Sequence, residues 1–181
     1  ATETYSITIG DNSTGQLSIG PFARSGIGGR GIAIGQNSST LSGSDHIVIG
    51  TNAKTVGTGD NNAAAIAIGQ GAQVISPDHQ IAIGSGATAS TGPYSVAIGT
   101  NSFASSSVGG STALGYNSNA TGRDSFAVNS GSNAKAQGSV AIGPNYASGT
   151  YSIALGLTTN ASGATSIAIG ESTRASSSLS I

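Results

Sequence analysis

One short phrase dominates this chain: a large aliphatic residue, a small residue, a second large aliphatic residue and then glycine, as in "SVAIG" at 95–99. Thirteen copies recur about every 14 to 15 residues along the sequence. Within each copy the large residues stand two apart, which is the periodicity of a β-strand, and most of them are β-branched. A repeat of this length suits one coil of a strand solenoid and is too short for the common helical or propeller repeats. The phrase therefore predicts an all-β parallel β-solenoid of about 13 short coils.

Each phrase leads into a residue suited to a tight corner. Twelve copies continue into further sequence, and eleven of them have glycine directly after the second large residue. The twelfth has Asn129, and asparagine is the residue that best tolerates a positive φ after glycine. Small residues recur three and five positions past the corner, as at Ala87 and Ala89, and this spacing predicts a second, shorter strand. Each coil is thus expected to run strand, corner, strand, corner.

The repeat extends from residue 1 to residue 181, which predicts a single repetitive domain. Because the chain begins and ends inside the pattern, we interpret it as a fragment of a longer protein. Two segments, 57–65 and 105–111, lengthen their coils and are expected to bulge as loop insertions. Loops that lie outside both repetitive strands are also where we expect a ligand to be contacted.

The middle residue of the phrase is alanine in nine copies. If the large residues point into the coil, strand geometry directs this middle residue outward. A solvent-facing column normally carries Lys, Glu, Thr or Gln, whereas a column of alanine makes a smooth surface suited to close contact with another chain. The sequence therefore predicts an oligomer interface formed by Ala33, Ala67, Ala82, Ala97, Ala113, Ala127, Ala141, Ala154 and Ala168.

The strand phrase, its glycine corner and a following "xAxAxG" segment, repeated about every 14 residues, resemble the head domain of YadA-type trimeric autotransporter adhesins. The best copies lie at 80–104, 112–122 and 139–170. The resemblance implies a left-handed β-roll, a homotrimer of chains side by side, and a position outside the bacterial outer membrane. It also implies a partner such as a host extracellular-matrix protein or a cell-surface receptor. Contact with the membrane is expected only through segments absent from this chain.

The sequence therefore favours a surface-displayed adhesin head that attaches to host matrix, host cells or other bacteria. Two alternatives share its repetitive pattern. One is a receptor-binding segment of a trimeric viral or phage fibre, and the other is a purely structural spacer.

Composition argues against several other functions. The six Lys and Arg residues are scattered singly, so no basic footprint for nucleic acid is present. With no cysteine, the chain can form neither a disulfide framework nor a thiolate metal site. No apolar run approaches the roughly 20 residues of a membrane-spanning helix. No cofactor or metal is expected.

The two histidines, His46 and His79, each follow an aspartate and stand just before a strand phrase. An Asp-His pair among many serines is the composition of a catalytic triad, but a narrow solenoid implies no buried cleft. We expect both histidines to be exposed corner residues and the protein not to be an enzyme.

Overall fold

The computed structural model describes most of the chain, namely residues 7–10, 17–26, 31–40, 45–56, 64–75 and 79–181. These residues form strands, turns and bends, and none of them is helical. No helix long and apolar enough to cross a membrane is found among them. The strands pair in parallel with their counterparts in neighbouring coils, so the predicted all-β parallel β-solenoid is confirmed.

Residues 1–90 form the first of two compact units. Its first strands, which come from the repeated phrase, are β1, β2, β3, β4, β6 and β8, and its second strands are β5, β7 and β9. In chain order these strands are β1 (Ile7–Ile9), β2 (Leu17–Ile19), β3 (Ile32–Ile34), β4 (His46–Ile49), β5 (Lys54–Val56), β6 (Ala65–Ile68), β7 (Gln73–Ile75), β8 (Gln80–Ile83) and β9 (Thr88–Ser90).

Residues 91–181 form the second unit, in which first and second strands alternate without exception. Its strands are β10 (Val96–Ile98), β11 (Phe103–Ser105), β12 (Thr112–Leu114), β13 (Asn119–Ala120), β14 (Phe126–Val128), β15 (Asn133–Ala134), β16 (Val140–Ile142), β17 (Tyr146–Ala147), β18 (Ile153–Leu157), β19 (Asn160–Ala161), β20 (Ile167–Glu171) and β21 (Arg174–Ala175). The even-numbered strands form one sheet and the odd-numbered strands the other.

The structure forms first strands from twelve of the thirteen phrases. The last phrase, which ends at Ile181, is not a strand. Leu179 has a positive φ of 59°, as Thr165 has in the preceding coil, and the Ser180 carbonyl accepts from the Ile167 N–H as the Ser166 carbonyl accepts from the Ile153 N–H. Ile181 therefore occupies the position of the first large residue of a further coil. The predicted count of about 13 coils is therefore slightly too high.

Equivalent residues of successive coils stand directly above one another. In the pairing of β14 with β16, for example, Ala127 lies opposite Ala141 and Val128 opposite Ile142. The corner backbone continues the ladder, since the Gly143 N–H donates to the Val128 carbonyl at 2.9 Å. A residue type repeated in the sequence thus becomes a column in the structure.

The corners adopt the predicted backbone conformation. All eleven corner glycines have φ between 108° and 137°, and Asn129 has φ 84°. A second positive φ, which was not predicted from the sequence, follows two residues after many corners, as at Asn101 and Asn117. The requirement for a positive φ explains why asparagine recurs at that position.

The two lengthened segments differ in how many of their residues the structure describes. Most of segment 57–65 lies outside the described residues. Segment 105–111 connects β11 to β12, with the Ser106 hydroxyl donating to the Val108 carbonyl at 3.0 Å. Across it, β12 and β13 keep their parallel pairing with β10 and β11.

The described interior positions hold mostly small side chains, with His46, Val48, Val74 and Gln80 as larger exceptions. In a first strand such as β16 the middle residue, Ala141, is fully buried while its two large neighbours are partly exposed. The inward positions of the second strands are small as well, as predicted, for example Ala87 and Ala89.

The predicted outward orientation of the alanine column is wrong. Eight of the nine alanines have no accessible surface within the single chain, and Ala168 retains 3%. They fill the coil interior, so they cannot form the surface that meets another chain. The residues concerned are Ala33, Ala67, Ala82, Ala97, Ala113, Ala127, Ala141, Ala154 and Ala168.

Candidate oligomerisation face

Because the alanines point inward, the large residues of the phrase point outward. In the second unit they form two continuous columns on the outer side of the first strands. We call these columns the apolar face of that unit. One column is Val96, Thr112, Phe126, Val140, Ile153 and Ile167, and the other is Ile98, Leu114, Val128, Ile142, Leu155 and Ile169.

The apolar face is accessible in the single chain. Ile98 is 39% exposed, Leu155 38% and Ile169 59%, and the other members are partly exposed. Six strands about 4.8 Å apart carry the face over about 24 Å. A contiguous apolar surface of this kind is characteristic of an interaction site rather than of a face that remains in water.

The first unit, taken by itself, has an apolar face of the same construction. Its outward columns include Ile32, Ile47, Ile66 and Ile81, which are paired in register from strand to strand. The alternation of buried and partly exposed residues is the same as in the second unit.

A signal for this orientation is present in the sequence. From β3 to β20, the residue before each first strand or at its start is also an inward position, and it is small in most of these coils, as at Ser95, Ser139 and Ser152. The inward positions of the second strands are small too. Because small residues already occupy the inward positions of both strands, the large residues of the phrase are expected to face outward.

The two histidines occupy different environments. His79 is exposed in a turn with φ 57°, as expected, but His46 begins β4 with its side chain in the coil interior and is 2% exposed. The prediction of an exposed corner is therefore wrong for His46. Burial lowers the pKa of His46, and the nearby charge of Asp45 opposes that effect only in part. Its Nδ1 atom has no hydrogen-bond partner within the described part of the chain.

This arrangement does not assemble a triad around His46. Its neighbours in the same inward column are Ala65 and Gln80, neither of which is a nucleophile. Asp78, which precedes the other histidine, lies outside the described residues. In the described ranges no three His, Asp or Glu side chains come together in a way that could hold a metal ion.

The family model described as the YadA head domain repeat (2 copies) matches residues 81–105, 109–128, 130–145 and 147–173. These residues belong to the YadA head repeat family. No curated protein matches the chain. The matched YadA head repeats include every residue of the apolar face of the second unit. The predicted resemblance is therefore confirmed for this part of the sequence.

Proposed function

We propose that this chain is a non-enzymatic adhesin head that is displayed on the bacterial cell surface, outside the outer membrane. Its role is attachment to host extracellular matrix, host cells or other bacteria. Three copies associate side by side through the apolar faces of their first strands. The observation that carries the proposal is the accessible apolar face within YadA head repeats.

The trimer is supported by the distribution of large side chains between the inside and the outside of the coil. The described interior is filled mainly by Ala, Ser and other small residues, so the bulk of the aliphatic surface is left outside. Its removal from water stabilises an assembly by about 25 cal/mol per Å². Association therefore buries the aliphatic surface that remains exposed in the single chain.

Repetition supports attachment rather than a single tight pocket. Equivalent side chains recur in register from coil to coil, and three chains multiply them again. Linked weak contacts gain affinity through effective concentration, without any one contact having to be strong. An adhesin of this type would hold a surface through many shallow contacts.

Light scattering of the purified chain tests the assembly. We expect a trimer mass for the parent, and a folded monomer for Leu155→Glu, because the new carboxylate would stand in the interface. Ser148→Glu is the matched control, since Ser148 is exposed on the other side of the same unit and the trimer should persist. A monomeric parent, or a trimer unaffected by Leu155→Glu, would contradict the proposed interface.

Adherence tests the role. Beads coated with the parent chain should adhere to host cells or to matrix proteins, and beads coated with Leu155→Glu should adhere more weakly. A parent that forms the trimer but adheres to neither surface would leave the chain as a structural spacer.

A further inference from the structure

The outer side of the second strands has a different chemistry from the apolar face. In the first unit Arg24, Ser39 and Lys54 stand in one column, because Arg24 is bridged to Ser39 and Ser39 to Lys54 in parallel register. The two cationic residues are therefore separated by two strand spacings, about 9.6 Å between backbones. Both side chains are exposed.

A groove of about 230 Å³ lies at one end of this column. It is lined by Phe22, Arg24, Asn37 and Ser39, which supply an aromatic ring, a guanidinium group, an amide and a hydroxyl. Phe22 is 45% exposed. The equivalent corner position one coil later is Asn37, so the backbone at this corner does not require an aromatic residue. An exposed ring beside hydrogen-bonding groups suits a ligand that has both an apolar face and polar edges.

The backbone of the groove is held in place by the solenoid. The Arg24 N–H donates to the Ser38 carbonyl at 2.9 Å, and the Arg24 carbonyl accepts from the Thr40 N–H at 2.8 Å. The Asn37 N–H donates to the Pro21 carbonyl at 3.0 Å. A ligand would meet a preformed platform and would have to order few groups besides side chains.

The positive charges of this column are not neutralised within the described residues. Arg24 and Lys54 form no ion pair there, whereas Arg123 in the second unit is paired with Asp124 at 3.1 Å. Asp45, the described carboxylate of the first unit, directly precedes β4, which is a first strand. Among the described residues of this unit, the second-strand column therefore presents two exposed cations and no carboxylate.

The second unit, considered separately, repeats this combination of cation and aromatic ring. The Lys135 Nζ lies 5.5 Å from the centroid of the Tyr146 ring, and Tyr146 is half-exposed. Arg174 follows two strands further along the same outer column.

We infer that the second-strand side binds an acidic polysaccharide, with a sugar ring against Phe22 and a sulfate or carboxylate group held by Arg24 and Lys54. The inference rests on the proposed function in one respect: a trimer formed through the apolar faces leaves this side free. Guanidinium recognises an oxyanion through two parallel hydrogen bonds, and the ammonium adds a second charge along the chain.

The test measures binding of the parent chain to immobilised heparin, which is sulfated, to polygalacturonate, which is only carboxylated, and to neutral dextran. We expect binding to at least one acidic polymer, none to dextran, and weaker binding as salt is raised. Arg24→Gln and Lys54→Gln should each weaken it about tenfold, the effect of losing one charge-assisted hydrogen bond. Arg123→Gln removes the same charge away from the groove and should bind like the parent.

Phe22→Asn tests the ring separately. Phe22 has φ 59°, and asparagine occupies the same corner with φ 54° at Asn37 and 59° at Asn52, so the variant should fold. We expect it to bind the acidic polymer more weakly while its circular dichroism spectrum is unchanged.

Three outcomes would overturn the inference: no binding to either acidic polymer, groove variants that bind as the parent does, or equal binding to duplex DNA at the same salt. Light scattering of the same samples separates this inference from the proposed function. A monomeric parent that binds through the groove supports the polysaccharide site and contradicts the trimer. A trimeric, adherent parent that binds neither acidic polymer overturns the site alone.

Discussion

The corner glycines are predicted to be irreplaceable for a reason that goes beyond their φ angles, and Gly99→Ala tests it. Gly99 has φ 131° and lies directly below the corner of the next coil. A Cβ atom added there would stand 2.6 Å from the Gly115 carbonyl carbon and closer still to its oxygen. Both atoms belong to the backbone, so neither can move without displacing the coil.

Two costs add at this position. A non-glycine residue in a sparsely populated positive-φ region costs about 1 to 3 kcal/mol. Forcing an extra carbon into a closely packed region costs about 1 to 3 kcal/mol more. The less flexible unfolded chain offsets about 0.4 to 1 kcal/mol of this sum. We therefore expect Gly99→Ala to lower the free energy of unfolding by about 1 to 5.6 kcal/mol.

Gly131→Ala is the matched control within the same unit. Gly131 has φ 70°, but the nearest heavy atom to an added Cβ is the Pro144 Cβ at 3.8 Å, an ordinary contact. Its left-handed conformation costs alanine about 1 to 2 kcal/mol, and the less flexible unfolded chain offsets about 0.4 to 1 kcal/mol of that. We expect a net loss between about zero and about 1.6 kcal/mol.

Urea unfolding followed by circular dichroism measures both variants. All samples must have the same chain concentration, because association makes apparent stability concentration-dependent. The reasoning would be refuted if Gly99→Ala destabilised the protein no more than Gly131→Ala does. The close approach of successive corners would then not be what requires glycine.

Ala141→Glu should give an unfolded or insoluble chain, because an unpaired carboxylate in the coil interior costs about 3 kcal/mol or more. The readout is loss of the β-strand circular dichroism spectrum, and a folded monomer would show instead that Ala141 faces outward. Asn129→Gly should change the melting temperature little, since glycine occupies the equivalent corner in eleven other coils; a large loss would show that the Asn129 side chain is required. His46 should make stability depend on pH. Because burial lowers its pKa in the folded chain below the ordinary value of 6.5, the unfolded chain binds the proton first, so stability is constant above about pH 6.5 and falls as the pH drops below it. Chemical denaturation across pH should show this slope for the parent and a smaller one for His46→Gln, and equal slopes would contradict it.

Most of the fold was predictable from the spacing of residues alone. The period of about 14 to 15 residues, the pair of large residues two apart and the following glycine require strands, corners and stacking, whatever surrounds them. The positive φ of Asn129 was predictable as well, because asparagine replaces glycine there and few other residues tolerate that conformation. These features are backbone conformations, and the conformation of each residue is determined mainly by the residues close to it in the sequence.

The strand phrase taken by itself does not decide which of its two sides faces inward, and the tertiary structure shows which one does. An alternation of period two is identical when viewed from either side, so the pattern of Val140, Ala141 and Ile142 is equally consistent with both orientations. The general preference for large aliphatic residues in a core favours the wrong one. What decides the outcome is the closure of a short coil, because the second strand and the residue before the first strand also direct side chains inward and leave little room for two large residues from every first strand. Small residues therefore fill most of the interior, and the large side chains lie outside, where the proposed interface with other chains is formed.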